Sequence, residues 1–193
     1  MRKVIVINNV TLDGVMQAPA RPDEDARDGF AHGGWASAYD DPDKHRIMAE
    51  GRSRPTELLL GRRTYQDFFK VWPSRKDNPY TQVLNNTQKY VASRTHQGPL
   101  PWQNSTLLQG DAADAVASLK QDDGADLVVL GSGELVQSLL ERDLVDGFRL
   151  LIHPIVLGSG RRMFAEHSAL ARYKLDRTAC TSKGVIIATY ERS

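Results

Sequence analysis

The sequence predicts a single α/β domain built on a mixed, mostly parallel sheet with helices on both faces. Three observations predict it. Short β-branched runs alternate with helical segments from residue 57 to residue 141, the pattern of strand–helix–strand units. Two of the runs, Val4 to Ile7 and Leu127 to Leu130, are apolar without interruption, as strands covered on both faces are. Two further strand-like runs, Tyr173 to Ala179 and Gly184 to Glu191, lie close enough to pair as an antiparallel hairpin at one sheet edge.

A chain of 193 residues fits one domain and can bury roughly 70% of its unfolded surface. No repeat, low-complexity tract or linker divides it, so residues 1–193 read as one unit. Val4 to Ile7 follows Arg2-Lys3 in the manner of a signal peptide, but it is far short of a core of ~7–15 apolar residues. It reads instead as the first strand, running into a turn at Thr11-Leu12-Asp13-Gly14. Gln17 to Asp40 is a long loop rich in Pro, Gly, Ala and Asp, with Phe30, His32 and Trp35 as apolar or aromatic anchors. Loops of that length inside a compact domain are often functional.

A helix opens at Asp41-Pro42-Asp43, with Asp41 as N-cap, Pro42 at the first helical position and Asp43 complementing the dipole; Gly51 is its stop. Glu57 to Leu60 is the second strand, followed at once by a helix from Arg62 to Phe69, and Tyr80 to Leu84 is a short helix. Lys89 to Ala92 and Ser105 to Leu108 are the third and fourth strands. Asp111 to Gln121 is amphipathic, with Ala115, Val116 and Leu119 on one side. Leu127 to Leu130 leads into a helix from Glu134 to Glu141, and Phe148 to Val156 is a sixth strand interrupted at His153-Pro154.

The balance of 25 Lys and Arg against 24 Asp and Glu gives a net charge of +1, which lacks the basic footprint of a nucleic-acid binder. No segment approaches the ~20 apolar residues of a membrane span. Cys180 is the only cysteine; it forms no intrachain disulfide and fits a reducing, cytoplasmic setting. The histidines His45, His96, His153 and His167 show no metal spacing, so no metal site is expected.

Three strands end in similar punctuation: Gly61-Arg62-Arg63-Thr64, Ser93-Arg94-Thr95 and Gly131-Ser132-Gly133. Ligands of open parallel sheets bind beyond the carboxyl ends of the strands. Helix N-termini attract anions, glycine permits close approach, and arginine and hydroxyl groups add donors. Together these segments describe a groove for a ligand with several phosphates. Each is also explained without one: a tight strand-to-helix turn at Gly131, a solvated pair at Arg62 and Arg63, and a surface turn at Ser93 and Arg94. The full G-x-G-x-x-G fingerprint fails, because its sixth position is Val136.

The order of blocks is itself informative. Val10-Thr11-Leu12-Asp13-Gly14, Leu59-Leu60-Gly61-Arg62-Arg63-Thr64-Tyr65, Leu130-Gly131-Ser132-Gly133-Glu134-Leu135, Leu144-Val145-Asp146 and Pro154-Ile155-Val156-Leu157-Gly158-Ser159-Gly160 with Met163-Phe164 form a series. It resembles the reductase domain of the bifunctional riboflavin-biosynthesis deaminase-reductase and the wider dihydrofolate reductase superfamily. The resemblance runs from Val4 to about Tyr190. It implies a central sheet of about eight strands with an NADPH site on its rim. By the same resemblance the helix start at Gly61, Arg62, Arg63 and Thr64 would hold the pyrophosphate, and Ser93 and Arg94 would flank the 2′-phosphate. Gly131, Ser132, Gly133, Glu134 and Leu135 would cover the phosphates from the other side, with Asn8 and Gly14 near the nicotinamide.

The chemistry so implied is hydride transfer to a C=N or C=O carbon of a small molecule, pterin-like or ribosylaminopyrimidine-like. Asp43 is the nearest analogue of the carboxylate that a dihydrofolate reductase carries at the start of its first helix. Asp13 matches the aspartate that faces substrate in the riboflavin reductase, and it equally suits a turn before glycine. That reductase has a glutamate before its late glycine pair; Val129-Leu130 stands there instead, which argues against its phosphorylated substrate. Trp35 and His32 sit on the loop that should overlie the substrate, Trp35 as a stacking wall or as a plain anchor. A non-catalytic NADPH-binding module is the reading from another class. The resemblance also implies a homodimer paired through C-terminal strands; Leu150 to Val156 is apolar enough for that, and burial within one subunit explains the same pattern.

Overall fold

The computed structural model describes residues 1–50, 55–78, 80–164, 166 and 168–193. Eight strands form one sheet: β1 (Val4–Thr11), β2 (Thr56–Gly61), β3 (Lys89–Ala92), β4 (Ser105–Leu108), β5 (Asp126–Leu130), β6 (Gly147–His153), β7 (Tyr173–Cys180) and β8 (Ile186–Arg192). Their spatial order is β4-β3-β2-β5-β1-β6-β8-β7. The six from β4 to β6 are parallel, and β8 and β7 add antiparallel strands at one edge. This is the mixed, mostly parallel sheet that the sequence predicts.

The helices are α1 (Pro42–Glu50), α2 (Arg62–Val71), α3 (Tyr80–Asn86), α4 (Ala112–Gln121) and α5 (Gly133–Glu141). They cover both faces, because alternate residues of a strand point opposite ways. On one face Val4, Val6 and Val10 pack with Val116 of α4 and Leu135 and Leu139 of α5. On the other face Ile7 meets Leu58, Leu60, Tyr65 and Phe68, and also Ile47, Met48 and Leu151. The burial of these side chains, worth roughly 1.5–3 kcal/mol for each that is fully buried, holds α1 and α2 on the same face of the sheet as Ile7.

Two strand ends differ from expectation. β1 continues four residues past Ile7, pairing in register with β6 from Asn8↔Leu150 to Thr11↔His153. The polar pair Asn8-Asn9 is held there by partners distant in sequence, which override local propensity. β6 stops at His153 rather than Val156, because Pro154 has no N–H for the ladder. The helix at Asp41 forms as read: the Asp41 carboxylate accepts from the Lys44 N–H at 2.7 Å, and it also accepts from Ser182 and Lys183 of the β7–β8 turn. Gly51 lies outside the described residues.

One buried charge is structural. Lys89 is fully buried, and its ammonium donates to the carbonyls of Leu84 at 2.8 Å and Thr87 at 2.6 Å while lying 4.6 Å from the Trp102 ring. It satisfies carbonyls at and just past the end of α3 that the helix leaves unpaired. Among the described residues no helix is long and apolar enough to cross a membrane.

Candidate active site

Side chains join the middle of β1 to the carboxyl ends of β2 and β5. Asn8 of β1 grips the Gly131 peptide at both ends: its Oδ1 accepts from the Gly131 N–H at 2.7 Å, and its Nδ2 donates to the Gly131 carbonyl at 3.1 Å. The next residue, Ser132, donates its N–H to Thr64 Oγ1 at 3.1 Å, and its own Oγ accepts from the Gly61 N–H at 2.9 Å. Gly131 and Ser132 both adopt left-handed backbone, φ +56° and +55°. A Cβ on Gly131 would stand 3.2 Å from the Thr64 side chain. Glycine is therefore required there by conformation and by space. For Ser132 the strain of about 1 kcal/mol is offset by its three hydrogen bonds.

This junction sets two helix starts side by side. α2 begins directly after Gly61 and α5 directly after Ser132, and neither has a side-chain N-cap. The first-turn N–H groups of both are left for a ligand. Two cavities meet at this point, sharing Arg63, Thr64, Ser132, Gly133 and Glu134. The outer one, about 320 Å³, is bordered by Gly61, Arg62, Ser93, Arg94 and Leu135. The inner one, about 1300 Å³, lies over Ile7, Asn8 and Asn9 and is walled by α1, α2 and the long loop. The three strand-end segments singled out in the sequence thus come together along one groove.

Charge in the groove is largely cancelled from within. Glu134, in the first turn of α5, accepts from Arg63 at 2.8 Å and Arg161 at 3.2 Å, with Arg27 at 3.6 Å. Arg27 comes from the long loop and Arg161 from the segment after β6, and neither stands out in the sequence. Arg21 of the same loop is bound to Asp67 of α2 at 2.5 Å. The loop is therefore strapped across the inner cavity at two places. Arg94 has no ion-pair partner among the described residues. Of the carboxyl groups lining the inner cavity, Asp25 is held below the usual carboxylate range by Arg27, whereas burial pushes Glu24 up despite the N–H groups of Ala20 and Arg21 donating to it.

Several expected residues lie elsewhere. Asp13 accepts from the Thr11 hydroxyl at 2.6 Å and from the N–H groups of Leu157 and Gly158. These bonds, the hydroxyl's first, hold its pKa down; it ties the β1 turn to the loop after β6 and does not line either cavity. Gly14 supplies the positive φ of that turn, +79°, and also stays outside both. Asp43 is half-buried on α1 and paired with Arg46 at 3.2 Å, and it lines neither cavity. Trp35 is a loop anchor rather than a stacking wall: it is buried, its indole N–H donates to the Gln17 carbonyl at 2.7 Å, and its ring meets His153 edge-on. His32 packs its ring against Phe30 and does not reach the cavity. Asn8 does line the cavity, but both ends of its amide are taken by Gly131.

His153, which its place in a strand before Pro154 marks as a core or interface residue, lies in the core. It is fully buried, its Nε2 lies 2.9 Å from Asn9 Oδ1, and the rings of Trp35 and Tyr39 stand 5.1 Å and 5.4 Å away. Burial, with a smaller contribution from Lys44, lowers its pKa to about 4. Among the described residues no cluster of ligands suits a metal.

Comparison with known proteins places this arrangement in context. A family model described as the RibD C-terminal domain matches residues 2–187. The Bacillus subtilis protein YyaP, described as uncharacterized, is 30% identical over 138 residues, which cover 69% of this chain and 72% of that one. A Shewanella protein structure described under riboflavin biosynthesis aligns with a TM-score of 0.71 at 20% identity, covering 99% of each chain. Dihydrofolate reductase of Enterococcus faecalis, solved with NADP(H), aligns with a TM-score of 0.61 at 14% identity, covering 99% of this chain and 96% of that one.

The buried histidine has a measurable consequence. Unfolding restores its ordinary pKa of 6.5, whereas the folded ring takes a proton only near pH 4. Between those values the unfolded chain binds the extra proton, so stability falls as pH falls, by up to about 3 kcal/mol. Urea unfolding from pH 7 to pH 4 is expected to show this loss, and the slope is expected to shrink in His153→Phe; equal slopes in both proteins would refute the assignment.

Proposed function

The chain belongs to the RibD C-terminal domain family, and from that premise we propose that it is an NADPH-dependent reductase acting on a C=N or C=O bond of a small planar molecule of pyrimidine or pterin type. The observation that carries this reading is the meeting of two uncapped helix starts at the junction of two cavities. Such a site suits a dinucleotide: phosphates at the junction, one ring system in each cavity. The residues present fit NADPH. The first-turn N–H groups of α2 and α5, free of side-chain caps where the two cavities meet, would hold the pyrophosphate. Arg94, without an ion-pair partner among the described residues and bordering the outer cavity, suits the 2′-phosphate that distinguishes NADPH from NADH.

The bound coenzyme would supply a hydride; this chain's residues do the rest. α1, α2 and the strapped loop wall the inner cavity on three sides and would shield the reacting atoms from part of the solvent. Glu24, whose carboxyl lines the inner cavity and is raised by burial, is the group that would pass a proton to the reduced product. Asp13 and Asp43 are engaged elsewhere and do not serve. The exposed edge hairpin, where Leu175 and Ile186 lie open to solvent, supports pairing with a second copy of the chain.

Calorimetry is expected to detect NADPH binding, and Arg94→Ala is expected to weaken it about tenfold while leaving NADH unchanged. Equal loss for both coenzymes would remove the 2′-phosphate assignment. Oxidation of NADPH across a panel of imines, pterins and small carbonyls tests the chemistry; tight binding with no turnover would favour a coenzyme-binding module. With a working substrate, Glu24→Gln is expected to lower kcat/KM about 100-fold and to abolish the decline in rate as pH rises past the Glu24 pKa; an unchanged profile would assign the proton elsewhere.

A further inference from the structure

Three carboxamides reach the inner cavity from β1 and the loop after it, and two are occupied at both ends. Asn8 holds Gly131. Gln17 donates to the carbonyls of Asp25 and Arg27 and accepts from the Arg161 N–H. Asn9 differs: its Oδ1 meets His153 Nε2 at 2.9 Å, and its Nδ2 has no hydrogen-bond partner among the described residues.

His153 decides which way the Asn9 amide faces. A neutral imidazole carries one N–H. Its Nδ1 is buried with no partner, so a proton there would be a stranded donor. A proton on Nε2 leaves only a bare acceptor at Nδ1, the less costly orphan. The Nε2–H therefore donates to Asn9, which must receive it on Oδ1. The edge contacts of Trp35 and Tyr39 keep the imidazole in place. The Asn9 NH2 is left toward the cavity, on the same face as Ile7 and beside Leu151 and Met48. It is a lone pair of donors set in an apolar floor, on the α1–α2 side of the sheet and away from the start of α5.

The geometry points to Asn9 as the residue that selects the substrate: its Nδ2 donates to a carbonyl oxygen or ring nitrogen of a planar molecule laid over Ile7, and it rejects a molecule that presents a donor there. His153 is the positioning residue that keeps the amide from turning. This inference rests on the reductase reading for the statement that the ligand in this compartment is the substrate.

The test uses two bicyclic probes, α-tetralone with a carbonyl acceptor and α-naphthylamine with an amino donor, on protein loaded with NADP+. Wild type is expected to prefer α-tetralone about tenfold, and Asn9→Asp, which offers only acceptors, to reverse the preference. His153→Phe is expected to bring the two affinities together, and the ring-nitrogen chemical shifts of wild type to place the proton on Nε2. NADP+ affinity is expected to be the same in Asn9→Asp as in wild type. An unchanged preference in Asn9→Asp, no detectable α-tetralone binding to wild type, a proton on Nδ1, or a loss confined to NADP+ would each overturn the inference. If wild type fails to bind NADP+, the reductase reading falls, and the probe preference of the free protein still decides what Asn9 does. If His153→Phe does not fold, the wild-type tautomer decides the positioning role.

Discussion

The grip of Asn8 on the Gly131 peptide is the interaction on which the site depends. A single side chain from the central strand satisfies both hydrogen-bonding groups of a residue in left-handed conformation. The next residue then reaches α2 through Thr64 and β2 through Gly61. The middle of β1, the ends of β2 and β5 and two helix starts are fixed against one another by four hydrogen bonds. Buried bonds of this kind contribute only about 1 kcal/mol each when intact, but leaving one partner unpaired costs more. The arrangement is therefore all or nothing, and it yields two uncapped helix starts that face the same space.

Electrostatics around that space balance attraction for an anion against stability without one. Two helix starts and the guanidinium groups of Arg27, Arg63 and Arg161 would repel one another in an empty groove. The Glu134 carboxylate draws all three toward itself and complements the dipole of α5. These pairs are exposed and individually weak, worth about 0–1 kcal/mol. A phosphate can therefore replace the carboxylate as their partner at little cost. The same pairs hold the long loop across the inner cavity, so binding of the proposed coenzyme and the position of the loop would share residues.

The sheet, its helices and the edge hairpin were legible because each is written locally: β-branched runs, an Asp-Pro-Asp helix start, glycines at strand ends. The groove was legible for the same reason, since Gly61, Arg94 and Gly131 all lie where strands end. The floor and walls of the inner cavity were not. Asn9 and His153 are 144 positions apart and meet only because β1 and β6 pair in parallel; nothing near either residue marks the contact. Asp13 and Asp43 looked catalytic because acidic residues beside a turn or a helix start look the same whether they serve the backbone or a substrate. Trp35 could be read as a wall or as an anchor, because an aromatic residue on a loop does not reveal which side of the loop it packs against. Arg27 and Arg161 were hidden by being ordinary surface arginines until the fold brings both to Glu134.

The most direct measurement is the affinity of NADPH for wild type and for Asn8→Ala, read by calorimetry beside a melting curve of each protein. The account predicts that wild type binds and that the variant, still folded, binds at least about tenfold more weakly, because the Gly131–Ser132 backbone no longer holds both helix starts in place. Equal affinities in the two folded proteins, or no heat with wild type, would contradict it.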